Sequence, residues 1–139
     1  VSRGLGDVYK RQDMSEAFLG DSNIYTASAF PESVEDISSA YADCISLEKA
    51  ASIPASVINC DSCYSGCSNL YGELSINTNT EDCANLLSNA VTSGKTLKLK
   101  GKSGRLFEIQ QDSGSRYVTI KDTEKAEKNA KKLERQNNQ

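Results

Sequence analysis

Apolar residues recur along this chain in two different rhythms. Val34, Ile37, Tyr41, Cys44 and Ile45 follow the spacing of one helix face, with Ser33 and Asp36 placed to cap its start and Ser52 and Pro54 to end it, so the pattern predicts a helix over about 33–51. A second helix is predicted from Thr80, with Glu81 and Asp82 in its first turn, Cys83, Leu86, Leu87, Ala90 and Val91 on its apolar face, and Gly94 at its end. Beyond Thr96 the period falls to two. Leu97 and Leu99 alternate with Lys98 and Lys100, Phe107 and Ile109 with Glu108 and Gln110, and Val118 and Ile120 with Tyr117 and Thr119. Gly101-Lys-Ser-Gly104 and Asp112-Ser-Gly-Ser115 supply turn chemistry between the runs.

These elements predict an α+β unit: two helices joined by a Cys-rich loop over 52–79, packed on a three-stranded antiparallel meander. Residues 13–31 read as a polar arm, 32–121 as a single small domain, and 122–139 as a charged helix or disordered tail with only Ala126, Ala130 and Leu133 apolar. In that last segment Glu124 with Lys128 and Glu127 with Lys131 have the spacing of favourable i,i+4 pairs.

Residues 1–12, Val-Ser-Arg-Gly-Leu-Gly-Asp-Val-Tyr-Lys-Arg-Gln, resemble a translated transposon-end sequencing adapter, which removes them from fold reasoning. The resemblance implies a native start at Met14 or one lost upstream of the junction, and it leaves localisation unknown.

Charge changes the picture more than composition does. From 13 to 94 there are twelve acids against one base, Lys49, whereas from 95 to 139 there are twelve bases against six acids. So uneven a layout points to electrostatic association with a protein partner or with further copies of the chain. No apolar run is long enough to span a bilayer, so no membrane partner is expected.

Five cysteines carry the candidate chemistry. Cys60, Cys63 and Cys67 form a C-x2-C-x3-C run, flanked by Cys44 and Cys83 at sixteen residues on either side. Because the chain has no histidine, a closed zinc site would draw its four ligands from Cys60, Cys63, Cys67 and Cys83, with Cys44 as the alternative fourth. Two other readings stand beside it: disulfides joining loop cysteines to Cys44 and Cys83, and reduced thiols serving as small buried hydrophobes. Tyr41–Leu47 and Thr80–Leu86 share a pattern around Cys44 and Cys83 that hints at an internal duplication.

Catalysis finds little support. Thiol nucleophiles are ordinarily activated by histidine, which is absent, and the carboxylates fall at predicted helix exteriors and first turns. Gly94-Lys95-Thr96 ends like a phosphate loop but has Asn89 where the loop needs its first glycine, and it lies between a helix and a strand in the wrong order. A nucleic-acid-binding sheet is a further reading, carried by Lys98, Lys100, Lys102, Arg105 and Arg116, with Lys95 and Lys121 beside them and Tyr117 offering a ring to stack on. The reading that accounts for most of the sequence is a non-enzymatic structural or interaction protein without cofactor, with zinc the cofactor of the metal-binding alternative. Its Ser/Asn/Thr-rich character resembles that of phage virion and tail components, which implies an accessory part of an assembly.

Overall fold

In the computed structural model, which describes residues 13–138, the backbone amides of Met14, Glu16, Phe18 and Gly20 donate to the carbonyls of Asp36, Ser38, Ala40 and Ala42. The same step repeats one unit later, where Ile37, Ser39, Tyr41 and Asp43 donate to Asn59, Asp61, Cys63 and Ser65. The intervening amides close local turns instead, as Ala40 does to Ile37, Ala42 to Ser39 and Cys44 to Tyr41. Parallel bridges join Asp13 to Asp36 and Asp36 to Asn59, which sets a 23-residue repeat. The chain is therefore a parallel solenoid, with coils at 13–35, 36–58, 59–81, 82–104 and 105–121, each burying its apolar edge against its neighbours. The adapter-like segment 1–12 lies outside the described residues.

The two helices predicted over 33–51 and from Thr80 to Gly94 are absent. Ile45, expected on the first apolar face, is exposed, but the other apolar residues do face inward, since Val34, Ile37, Tyr41, Cys44, Cys83, Leu86, Leu87, Ala90 and Val91 are all buried. The backbone, however, is turned at Ser39 (φ 54°), Asp43 (φ 59°), Asn89 (φ 59°) and Val91 (φ 55°), left-handed values that no α-helix contains. In the first segment the alternate amides from Ile37 to Asp43 are also committed to the next coil, and in the second Val91 and Thr92 donate back to Cys67 and Ser68 of coil 3. A corner whose inward positions recur at steps of three, one and three imitates the spacing of a helix face without its hydrogen bonds.

The antiparallel meander is likewise corrected. Strands β1 (Gly72–Ser75), β2 (Leu97–Lys100) and β3 (Val118–Ile120) form a sheet in the order β1-β2-β3 in which both pairings are parallel. Gly72 stands opposite Leu97, and Leu97 opposite Val118. Parallel neighbours need a crossover of a dozen or more residues between them. Between β2 and β3 that crossover includes helix α1 (Leu106–Ser113), which occupies the segment predicted as the middle strand. Its buried residues Leu106, Ile109 and Ser113 fit helical spacing, and Gly114 ends it at φ 66°. The sequence also gives no warning of β1, because only Leu74 and Ile76 mark it within a loop-like stretch.

The core is a set of columns running through the coils. One holds Phe18, Tyr41 and Tyr64, whose rings stack in sequence with centroids 4.9 and 5.7 Å apart. In coil 4 the equivalent residue is Leu87, buried like the tyrosines. Helix α2 (Thr123–Asn137) follows β3, capped by the Asp122 carboxylate accepting from the Lys125 amide at 3.0 Å. It buries only Ala126 among its residues and packs close to coil 4, where a Cβ added at Gly104 would lie 2.7 Å from both the Asn129 carbonyl and Leu133. Such a polar outer helix suits the end of a solenoid. The charged segment is thus a helix rather than a disordered tail, with Glu124 paired to Lys128 at 3.9 Å.

Candidate functional site

The repeat explains the cysteine spacing. Equivalent positions of the corner carry Met14, Ala17 and Phe18, then Ile37, Ala40 and Tyr41, then Cys60, Cys63 and Tyr64, then Cys83, Leu86 and Leu87, all turned inward except the exposed Ala17 of the first coil. Cys44 and Cys67 share a further column with Ala90. The C-x2-C-x3-C run is thus the corner pattern of one coil, filled with thiols where other coils use Ile, Ala or Leu. The likeness between 41–47 and 80–86 is out of step with this repeat, because Cys83 is equivalent to Cys60 and Cys44 to Cys67.

All five cysteines are free and buried. Four of them pair by column, and Cys63 shares its column with Ala40 and Leu86. Cys60 lies against Cys83, its amide donating to the Asp82 carbonyl at 2.9 Å, while Cys44 and Cys67 each donate a thiol hydrogen one coil back, to the Phe18 and Tyr41 carbonyls at 3.1 and 3.0 Å. Burial pushes the Cys67 thiol up to about 12, and raises Cys63 and Cys44 as well. Within the Cys60–Cys83 pair, Cys60 is raised by donating toward its neighbour and by burial. Cys83 is the lower of the two because it accepts from Cys60, with Arg105 adding to the effect. Among the described residues no group of three or more histidine, cysteine or carboxylate side chains is arranged to hold a metal ion.

The basic residues are sorted just as clearly. On β2 the buried Leu97 and Leu99 turn Lys98 and Lys100 to the outer face, and Lys121 follows β3 onto the same face. Glu73 on β1 receives two of them, Lys121 at 2.5 Å and Lys100 at 3.6 Å. The hydrogen bond from Lys121 holds the Glu73 carboxyl below its ordinary range. Lys102 lies in the turn after β2, where its amide is held by the Asn77 side chain at 2.9 Å.

Arg105 does not join this face. Its guanidinium is only 12% exposed and reaches the Asn79 carbonyl at 2.8 Å, Glu108 at 3.3 Å and Glu81 at 3.8 Å, which ties coil 5 to the edge of coil 3. Arg116 lies over the Tyr117 ring at 5.0 Å and donates to its hydroxyl at 2.9 Å. The ring expected to accept a base is therefore already engaged by a cation.

Other members of this surface escape sequence reasoning. Tyr71, in the rung before β1, has the ammonium groups of Lys49 and Lys95 over its ring at 4.3 and 4.5 Å. Lys49, the one base of the acidic segment, thereby joins the basic end. Lys125, at the start of α2, lines a cleft of about 380 Å³ together with Ser75, Asn77, Lys100, Lys102 and Lys121. Steps of 23 residues align Lys49, Gly72 and Lys95, which is the signal in the sequence that brings both lysines beside Tyr71.

No described helix is long and apolar enough to cross a membrane. Comparison with known protein families, with curated proteins and with solved structures finds no match.

Proposed function

We propose that the protein is a non-enzymatic interaction scaffold, an accessory component that associates through charge complementarity with further copies of itself or with a larger assembly. The observation that carries this reading is the division of charge along the solenoid. Coils 1 to 3 hold twelve acids, counting Asp82 at the next corner, against the single base Lys49, while the outer face and turns of the last coils present Lys95, Lys98, Lys100, Lys102 and Lys121. A rigid body with opposite charge at its two ends favours heterologous contacts, in which one end of a molecule meets the other end of the next.

The engaged faces of Tyr71 and Tyr117 weigh against the nucleic-acid alternative, because sequence-tolerant binding of single strands relies on aromatic faces free to stack. The column arrangement likewise accounts for the thiols without a metal.

Sedimentation velocity across a salt series tests the proposal. The expected result is a dimer or larger species at about 0.02 M salt that dissociates by about 0.5 M, as contacts between solvated charges become screened. A monomer at low salt and high protein concentration overturns self-association.

A further inference from the structure

Among the described residues Glu73 is the one carboxylate within ion-pair distance of the lysines on the outer sheet face, and it holds two of them at once, Lys121 at 2.5 Å and Lys100 at 3.6 Å. Both lysines also line the cleft at the start of α2, where Lys102 and Lys125 complete a set of four ammonium groups. Among the described residues neither Lys102 nor Lys125 has a carboxylate within 4.0 Å. Asp122, the one acid that lines the cleft, spends one carboxylate oxygen on the amide of Lys125 as the helix cap. The cleft thus carries more cations than its own acids satisfy.

We infer that this cleft binds a carboxylate-rich polypeptide segment of a protein partner, with Glu73, beside the cleft, holding Lys100 and Lys121 as an internal competitor for it. The inference rests on the reading of the protein as an interaction scaffold and specifies the chemistry of the partner.

Three features favour a carboxylate-rich polypeptide over other polyanions. The anion that these ammonium groups already hold is a glutamate. Lys98 lies outside the cleft but on the same face of β2 as the cleft residue Lys100, two residues away at about 6.6 Å, which is also the distance between alternate side chains of an extended peptide that runs on from the cleft. Ser75 and Asn77, which line the same cleft, offer donors and acceptors that a peptide backbone can use, whereas no aromatic ring lines it to offer a stacking platform.

Glu73 makes the inference testable in both directions. It competes with an incoming carboxylate, so Glu73→Gln frees two ammonium groups and strengthens binding, while reversal of Lys102 and Lys125 weakens it. The probe is a fluorescein-labelled peptide of alternating Glu and Ser, followed by anisotropy with the full chain at about 0.05 M salt, where exposed charges are only partly screened.

The expected result is binding that weakens by about tenfold in Lys102→Glu/Lys125→Glu and tightens by about threefold in Glu73→Gln. Lys128→Glu changes net charge in the same sense on the same helix but outside the cleft, and should stay within about twofold of the parent. All four positions are solvent-accessible, and far-UV circular dichroism of each variant verifies the fold.

No binding of the peptide, equal losses in Lys128→Glu and in the cleft variants, or tighter binding of oligothymidylate or heparin than of the peptide would each overturn the inference. The outcome is separable from the self-association test. A monomer that still binds the peptide keeps the cleft and loses only self-association; an oligomer that ignores the peptide does the reverse.

Discussion

The hydroxyl of Tyr64 both donates to the Ala51 carbonyl and accepts from the Ala51 amide, each at 2.8 Å, so that one side chain satisfies both backbone groups of a buried residue in the preceding coil. Tyr41 does the same for Ser28, at 3.1 and 2.9 Å. In the next coil the tyrosine is replaced by Leu87, and the residue equivalent to Ala51 is Leu74, which lies in β1 opposite Leu99. The phenol serves where the sheet has not yet formed, and disappears where strand pairing takes over.

Tyr64→Phe should therefore destabilise the fold by about 3 kcal/mol, because it strands a buried donor and a buried acceptor together. Tyr41→Phe should cost about 1 kcal/mol, since Ser28 is exposed and water can replace the hydroxyl. Urea denaturation of the two variants gives the comparison, and equal losses would refute the assigned roles.

Two glycines at positive φ should respond very differently to a methyl group. At Gly101 (φ 109°) an added Cβ would collide with the backbone carbonyl of Ile76 and lie 2.8 Å from its amide nitrogen, whereas at Gly20 (φ 72°) nothing stands within 4 Å. Gly20→Ala should cost only the left-handed penalty, about 1 kcal/mol, and Gly101→Ala at least about 3 kcal/mol, through displacement of the β1 edge. Thermal melts of the pair provide the check.

The thiols should be inert in the native chain. Cys44, Cys60, Cys63 and Cys67 are buried with raised proton affinity, so iodoacetamide at neutral pH should label them only after denaturation, with Cys83 reacting first of the five. Because other coils place Ile37, Ala40 and Ala90 at equivalent positions, a variant with Cys60→Val, Cys63→Ala and Cys67→Ala should still fold, losing about 3 kcal/mol or less. Complete loss of folding in that variant, measured by circular dichroism, would reinstate a covalent or metal-linked role.

Glu73 should contribute to stability only on the alkaline side of its titration. Its folded value lies below the ordinary 4.5 because Lys121 and Lys100 favour the carboxylate. The contribution is then fully present above that ordinary value and is lost as pH falls through the depressed folded one. Melting temperatures of the parent and Glu73→Gln should differ at pH 6 and converge below the folded value, and a constant difference across that range would count against the ion pairs.

Much of the core was legible in the sequence, and its path was not. Ile37, Tyr41, Cys83, Leu86 and Leu97 were all assigned to a buried face correctly, since burial depends on which residues are apolar. The elements do not follow from that pattern, because spacing alone cannot separate a helix face from a corner in which residues such as Ser39 and Asp43 adopt left-handed values. Strand β2 was read correctly from Leu97 and Leu99, but its partners depended on a 23-residue register concealed by substitutions such as Ile37 for Cys60 and Phe18 for Tyr41. The basic face was partly visible as Lys98 and Lys100, whereas Arg105 looked equally available and is instead committed to Glu81 and Glu108.

The register is not uniform, for Gly72 faces Leu97 at a distance of 25 residues and Leu97 faces Val118 at 21. The extra length in coil 4 falls between the corner ending near Val91 and the start of β2, and the next coil, rebuilt around α1, restores the alignment. Copying or losing one of the uniform coils before residue 82 would leave each corner donor opposite an equivalent acceptor, as Met14 to Asp36 and Ile37 to Asn59 already are. Smaller insertions survive only where a corner can swallow them, as 92–96 does, so the lineage is free to change in whole turns and at that one seam.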